Sequence, residues 1–395
     1  MRADAEPTQG PRGRYRTRGH PLALAGVARA VASERPPQAV LMVGPAGVGK
    51  TTLAHDLAAG LLCLAPDPLD RPCRDCAACR KLAHGNHPDL HRLAPDGAGE
   101  QIRLAQVQTL TSELALMPME GRVRVAIIES AHRLNPDAQN ALLKTLEEPV
   151  GAACIVLCAD DPAAILPTVA SRSARVRLGP VPTAVVAGLL VHEGLADAPA
   201  AAALARAAAG SPGLALALAR SPEALLARER IVRQLADLLP ADRRTRLGAS
   251  ASLMADGAAL DAALRGALLD EDGAAPDADQ TGRTSAARGR GRAAPARASA
   301  RPEPAERRRA ARHVLAVWRE VGRDLAVMSG HAGAGIRHLE VLEELQTLAP
   351  SIEPTELLAF LDRLDGWSAA LDAYASPELV VDGALLAWPR PRAVA

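Results

Sequence analysis

Eight consecutive residues, Gly44-Pro45-Ala46-Gly47-Val48-Gly49-Lys50-Thr51, fit the pattern G-x-x-x-x-G-K-[ST]. Glycines at those places let backbone N–H groups turn inward around a phosphate, the lysine reaches the β and γ oxygens, and the hydroxyl serves a bound Mg²⁺. The helix that such a loop must open adds its partial positive charge, and Thr52 continues into it. A second set, Cys63, Cys73, Cys76 and Cys79, has the spacing C-x9-C-x2-C-x2-C in a Pro- and Asp-containing stretch. Four thiolates so close in sequence match a closed, tetrahedral and therefore structural Zn²⁺ site. The ferredoxin-type run with Pro after its fourth cysteine is absent, since Arg80 follows Cys79. His84, His87 and His91 lie nearby, but beside a complete cysteine set they are expected on loops or the surface.

A phosphate loop that hydrolyses nucleotide needs an acid at a strand end to hold Mg²⁺ and a carboxylate to orient the attacking water. The candidate segment is Val123-Arg124-Val125-Ala126-Ile127-Ile128-Glu129-Ser130-Ala131-His132. Glu129 takes the strand-end position there, and Ser130 stands where the water-orienting acid would be. Serine is no general base near neutral pH, so nucleotide binding without efficient hydrolysis is expected.

These residues need elements to hold them. The apolar run 39–43, bounded by Pro37 and Gly44, reads as a buried parallel strand, and a helical pattern covers 51–64. Residues 124–129 and 153–159 read as further strands, with a helix over 135–147 that ends before Pro149. A short helix is expected over 22–32. Strands alternating with helices predict βαβ units and a parallel sheet. After Pro180 and Pro182 the chain turns to alanine-rich helices at 184–193, 200–208 and 212–219. Helix continues from 223, and resumes over 306–330 and 339–371.

The resulting division is a disordered polar tail over 1–18, an α/β domain over 19–180, a small helical domain over 181–221, and a helical domain from 222–269 and 306–390. Between the last two pieces, 270–305 is low-complexity, passing from Asp270-Glu271-Asp272 to Arg288-Gly289-Arg290-Gly291-Arg292. It is expected to be a solvated flexible linker, the alternative being a basic arm for DNA phosphates.

Composition narrows the function further. With 46 basic and 45 acidic residues the net charge is +1, which gives no global argument for a polyanion-coating or membrane-surface protein. Three Trp, two Tyr and one Phe leave the core to aliphatic side chains and exclude a base-stacking platform. Only Lys50, Lys81 and Lys144 are lysine, and two of them fall in motifs, where a compact ammonium is not replaceable by an arginine fork. The first twenty residues have no apolar signal region and no run of eighteen apolar residues follows, so a cytosolic location without membrane contact is expected. In a reducing compartment Cys154 and Cys158 read as buried small apolar residues.

The phosphate loop with its four-cysteine insertion is followed by Gly85-Asn86-His87-Pro88-Asp89-Leu90, Asn140-Ala141-Leu142-Leu143-Lys144-Thr145-Leu146-Glu147-Glu148-Pro149 and Leu166-Pro167-Thr168-Val169-Ala170-Ser171-Arg172-Ser173. Together these resemble the AAA+ subunits of the bacterial DNA polymerase III clamp loader. The His-Pro-Asp stretch and the degenerate Glu129-Ser130 are similar to the delta-prime family, where motor (gamma/tau) subunits would show Asp-Glu. The resemblance is specific over about 19–180 and weak beyond 221. It implies a RecA-like sheet with a zinc insertion, a helical lid and an all-α collar, in a replisome subunit associated with the nucleoid. It also implies ATP or ADP with Mg²⁺ and structural Zn²⁺ as cofactors. The implied partners are gamma/tau and delta subunits, the sliding clamp (beta) and, through the complex, primed DNA. Arg172 matches the family's arginine finger, which reaches the neighbouring subunit's γ-phosphate, with Ser173 in place of the usual Cys. In Gly210-Ser211-Pro212-Gly213-Leu214, Leu214 stands where an active lid presents an arginine to its own nucleotide. Lys144 and the Glu147/Glu148 pair match the helix that faces a neighbouring subunit or DNA. Alternatives are a gamma/tau-type ATPase, disfavoured by Ser130 and Leu214, and an unrelated zinc-dependent nucleic-acid-binding P-loop protein, disfavoured because the cysteine loop carries only Arg71, Arg74, Arg80 and Lys81 as cations.

Overall fold

Strand β1, Ala39–Val43, is apolar at every position and buried at every position, as a strand covered on both faces must be. The computed structural model of the chain describes residues 12–33, 35–95, 101–147, 152–269, 303–330 and 335–391. Around β1 the first part of the chain runs α1 (Pro21–Ala32), β1, α2 (Lys50–Leu62), α3 (Ala77–Ala83), β2 (Leu90–Leu93), α4 (Leu104–Leu114), β3 (Arg124–Ile128), α5 (Pro136–Glu147), β4 (Ala153–Ala159), α6 (Pro167–Ser171) and β5 (Ala174–Arg177). The strands form one parallel sheet in the order β2-β3-β4-β1-β5.

Side-chain alternation along the strands divides the interior in two. Leu41, Val43, Ala126, Ile128, Ile155 and Leu157 face α4 and α5, where Val107, Leu110, Leu142 and Leu146 meet them. Val40, Met42, Val125, Ile127, Cys154, Val156 and Cys158 face α1 and α2, against Val27, Val31, Leu53 and Leu57. The two lone cysteines are thus core residues, and burial pushes both thiols up to about 12. The same unit continues into α7 (Thr183–His192), α8 (Ala198–Ala207) and α9 (Pro212–Arg220).

Contacts divide the chain into two units, Met1–Ala219 and Arg220–Ala395. Unit 2 is helical throughout its described residues: α10 (Pro222–Asp237), α11 (Arg243–Gly248), α12 (Ser250–Leu269), α13 (Pro304–Ser329), α14 (Leu342–Leu348), α15 (Pro354–Asp372) and α16 (Pro377–Ala387). Its core gathers Trp318, Phe360 and Trp388, with ring centroids 4.8–5.7 Å apart. Arg246, fully buried, donates to the carbonyls of Leu238 (3.0 Å), Leu239 (2.7 Å) and Pro389 (3.0 Å), so its charge closes the ends of α10 and α16.

Several expectations need revision. β2 and β5 were not foreseen, because Leu-His-Arg-Leu and Ala-Arg-Val-Arg are short, partly exposed edge strands that lack an apolar run. Residues 12–18, expected within a disordered tail, are packed against α2 and the cysteine loop, and Thr17 is buried. Residues 1–11 and the low-complexity stretch 270–302 lie outside the described residues, and α13 starts at Pro304, inside the span expected to be linker. The stretch expected as one helix over 339–371 is split before Pro354. Among the described residues no helix is long and apolar enough to cross a membrane.

Unit 2 carries a pH-sensitive joint. Asp324 is fully buried and accepts from Arg337 N (2.9 Å), His338 N (2.9 Å) and His338 Nδ1 (2.8 Å). Arg228 and Glu320 lie on the other side of the imidazole, and Arg323 approaches Asp324 at 3.2 Å. Burial alone would raise the Asp324 pKa, but these donors carry it below the ordinary 3.8. A depressed folded-state value stabilises the fold above the unfolded pKa and is lost as pH falls through the folded one. All three tryptophans lie in unit 2, so its unfolding is expected in Trp fluorescence. The urea midpoint should fall as pH drops from about 5 to about 3. Asp324→Asn should flatten that dependence and lower stability at neutral pH by about 1–3 kcal/mol.

Candidate nucleotide site and cysteine cluster

The loop between β1 and α2 has the geometry a phosphate cradle requires. Gly47 (φ 72°) and Gly49 (φ 104°) adopt left-handed backbone, which a side chain would strain. The space a Cβ would take at Gly47 is filled by Ser211, and Gly213 N donates to Gly47 O at 2.9 Å. The start of α9 therefore packs directly on the loop, and Leu214 comes with it. Lys50, nearly buried, folds back to donate to Gly44 O (2.7 Å) and Pro45 O (2.6 Å). Its ammonium also pairs with Asp160 Oδ1 at 2.6 Å. Thr51 and Thr52 stand in the first turn of α2. The donors, the lysine and the helix terminus fit a nucleotide phosphate chain.

Glu129 directly follows β3, but it does not face open space. Arg92 at the end of β2 donates to its Oε1 from Nε (3.0 Å) and Nη2 (2.9 Å). Ser130 takes a left-handed backbone (φ 56°) and opens a turn of 3-10 helix. The acid beside the loop lysine is instead Asp160, just past β4. Sheet order explains this: β4 lies next to β1, with Ala159 in register with Val43, whereas β3 lies one strand farther out. Sequence reasoning missed Asp160; the end of the third apolar run, Asp160-Asp161, was the signal available.

Arg172 terminates α6 and is 38% exposed. Its Nη1 donates to Thr168 O at 3.1 Å, and its Nη2 lies 2.6 Å from Glu147 Oε1 at the end of α5. Ser173, the departure from the usual Cys, donates from Oγ to Val169 O at 2.9 Å, so the local turn is closed without a thiol. Lys144 is exposed on α5. Glu148 and Pro149 lie outside the described residues.

Cys63 caps the C-terminus of α2, and Cys76 and Cys79 stand at the cap and first turn of α3. The sulfurs of Cys63, Cys73, Cys76 and Cys79 all lie within 4.8 Å of one another, and Cys63 is 3.5 Å from Cys73 and 3.9 Å from Cys76. Four ligands at about 2.3 Å from one tetrahedral ion would stand roughly 3.8 Å apart, so the set can hold one metal ion. Backbone N–H groups point at the sulfurs, from Ala65 (3.5 Å) and Cys73 (3.4 Å) to Cys63, and from Cys79 (3.4 Å) to Cys76. Burial raises the Cys76 thiol, but the N–H groups of Leu64 and Cys79 and the neighbouring thiols outweigh it and bring it down to about 7, within reach of thiolate. Burial raises Cys63 and Cys79.

Of the nearby histidines, His84 is the exposed C-cap of α3 and the other two are engaged elsewhere. His87 Nδ1 accepts from Asp89 N at 3.1 Å, and His91 meets Glu113 (2.9 Å) and Arg124 (3.1 Å). Asp89 explains the His-Pro-Asp stretch physically. It is buried and accepts from the N–H groups of Met119 (2.7 Å), Glu120 (2.8 Å) and Gly121 (2.7 Å). Burial opposes its ionisation, but those donors carry its pKa below the ordinary value.

A segment that sequence reasoning assigned to the tail completes the cysteine module. Arg12 N donates to Leu69 O and Arg14 N to Pro72 O, both at 2.8 Å, and Tyr15 donates its hydroxyl to Arg71 O at 3.1 Å. Arg14 pairs with Asp75 at 2.7 Å and Arg12 with Asp70 at 2.9 Å.

A parallel α/β domain with a phosphate-loop motif at the end of its first strand and a four-cysteine cluster after the following helix is what this fold and site define. Residues 19–182 match the family described as DNA polymerase III, delta subunit. The chain is 40% identical over 162 residues to the DNA polymerase III subunit delta' of Pseudomonas aeruginosa, covering 41% of this chain and 49% of that one. To the delta' subunit of Escherichia coli it is 33% identical over 202 residues, 51% of this chain and 60% of that one. To the tau subunit of the same organism it is 33% identical over 205 residues, 51% of this chain and 31% of that one. The chain thus spans about half the length of the delta' relatives it matches, and over that span the resemblance to delta-prime subunits read from the motifs holds.

Because residues 12–16 lean on the cysteine loop, opening the cluster should release them. In the double variant Cys76→Ser/Cys79→Ser, amide hydrogen exchange over residues 12–18 is expected to rise by at least about tenfold while β1, β3 and β4 keep their protection. Unchanged exchange in 12–18 would show that the segment is held independently of the cluster.

Proposed function

We propose that this chain acts as a delta-prime subunit of the DNA polymerase III clamp loader. In this reading it works in the cytoplasm, at the nucleoid-associated replisome, with gamma/tau and delta subunits to place the sliding clamp on primed DNA. Its part is that of scaffold and arginine-finger donor, with weak hydrolysis of its own, and structural Zn²⁺ in the cysteine cluster. The observation that carries this reading is the pairing of 40% identity to a delta' relative over 162 residues with a solvent-reachable Arg172 and a hydrolytic centre that lacks a free acid among the described residues. Glu129 is engaged by Arg92, Ser130 replaces the water-orienting carboxylate, and Leu214 at the loop offers no cation. The likeness to tau favours a gamma/tau-type motor as the second reading. The same three residues weigh against it.

Phosphoryl transfer spreads charge over the γ-phosphate oxygens, and an arginine supplied in trans is worth about 10³–10⁵ in rate in well-studied cases. Arg172→Ala should fold and assemble, yet the reconstituted loader should lose much of its DNA-stimulated ATP hydrolysis and clamp loading. Arg172→Lys should rescue poorly, since a point charge cannot form the planar fork. Full activity of the Ala assembly would reject the finger. The isolated chain should bind ADP or ATP by calorimetry, more weakly after Lys50→Ala, and turn over far more slowly than a motor subunit. Robust hydrolysis without partners would promote the motor reading. Elemental analysis should find about one Zn²⁺ per chain, lost in Cys76→Ser/Cys79→Ser; a metal-free, well-folded wild type would overturn the zinc assignment.

A further inference from the structure

We propose that the phosphate loop of this chain selects a nucleoside diphosphate over a triphosphate, and that Asp160 is the residue that sets this preference. The inference rests on the reading that the loop binds nucleotide, and it names which nucleotide. Phosphate loops divide their ligand between two kinds of donor. Backbone N–H groups and the helix terminus cradle the α- and β-phosphates; the lysine ammonium reaches the β and γ oxygens, and the γ-phosphate has only that ammonium and the metal to hold it.

Here the two kinds of donor are not equally available. The left-handed glycines and the first turn of α2 leave the backbone cradle in place. The lysine ammonium, in contrast, is held by Asp160 Oδ1 at 2.6 Å and by two loop carbonyls, Gly44 O and Pro45 O. A γ-phosphate must draw Lys50 away from that carboxylate and then stand beside it, negative charge against negative charge. The other charges of the neighbourhood do not relieve the conflict. Glu129 is already matched by Arg92 at 2.9 Å, and Leu214, next to the loop through Ser211 and Gly213, brings no cation. Asp160 is also fixed at its backbone, where its N–H donates to His132 Nδ1 at 3.2 Å, while Asp161 is occupied capping Ala163 N at 2.8 Å. A diphosphate takes most of its contacts from the cradle and asks Lys50 only for its β-phosphate, so it brings less negative charge beside Asp160 than a triphosphate does.

The test is calorimetry of the full chain with Mg²⁺, titrating ADP and a non-hydrolysable ATP analogue into wild type, Asp160→Asn and Lys50→Ala. Asp160 is 43% exposed, so the amide variant is expected to fold normally. Wild type should bind ADP at least about tenfold more tightly than the triphosphate, a difference of about 1.4 kcal/mol. Asp160→Asn should close most of that gap by tightening the triphosphate while leaving ADP within about twofold. Equal or tighter triphosphate binding by wild type would overturn the proposal and leave nucleotide binding standing. Weaker triphosphate binding in Asp160→Asn would overturn it too, making the carboxylate a metal ligand instead. Binding of neither nucleotide by wild type or Asp160→Asn would remove the underlying reading along with it.

Discussion

A fully buried carboxylate, Asp56, sits midway along the helix that joins the phosphate loop to the first cysteine of the cluster. An ionised group without water must be fully supplied with donors, or it costs several kcal/mol (roughly). Asp56 takes Arg16 N (3.1 Å), Thr17 N and Thr17 Oγ1 (2.8 and 2.7 Å), and the guanidinium of Arg74 in the cysteine loop. Two segments far apart in sequence are therefore tied to one helix. α2 begins at Lys50 and ends against Cys63, about 20 Å along its axis. The phosphate cradle, the N-terminal segment and the cysteine module thus share a single rigid support.

That support explains why a four-cysteine insertion is tolerated where it is. The loop 64–75 has little apolar content with which to build a core, and its backbone polar groups need partners. Convergent sulfurs give it a centre, and the 12–15 segment gives its carbonyls donors along one side. Arg71 completes the closure by donating to Ala65 O at 2.7 Å and Pro66 O at 3.2 Å. The insertion behaves as a clamp on the end of α2 rather than as a separate chemical centre.

What the sequence made legible follows from how each feature is encoded. β1, β3 and β4 are continuous apolar runs because both faces of the sheet are covered, and periodicity reads them without context. The loop glycines and the cysteines are also legible, since only special backbone or thiolate chemistry calls for them at that spacing. β2 and β5 are hidden because an edge strand is licensed by its neighbour, and Arg92 and Arg177 look like surface charge until the sheet is assembled. Asp56 had no sequence signal, and Asp160 had only its place at the end of an apolar run. An acid after a strand or inside a helix does not announce its partner, which is chosen by strand order or by a segment some 40 residues away. The basic, Gly-containing composition of 12–18 reads as disorder, yet the Arg12 and Arg14 side chains and the Arg16 N–H meet carboxylates that only the fold supplies.

The pairing of Arg172 with Glu147 bears on how an arginine could serve a neighbour. Both side chains are substantially exposed, 38% and 50%, and an ion pair in that setting contributes about 0–1 kcal/mol at most. Such a contact cannot lock the guanidinium against a phosphate approaching from outside, where several charges would compete for it. It can nonetheless set the rotamer, together with the hydrogen bond to Thr168 O at the end of the same short helix. Glu147 lies on α5, whose other face packs Leu142 and Leu146 into the sheet. A small rotation of α5 would thus change what Arg172 can reach and would be felt at the start of α6 as well, where Leu166 N donates to Gln139 Oε1 of α5 at 2.7 Å. In the proposed role the finger is held ready by a weak contact whose strength depends on a helix packed on the same sheet that carries the phosphate loop.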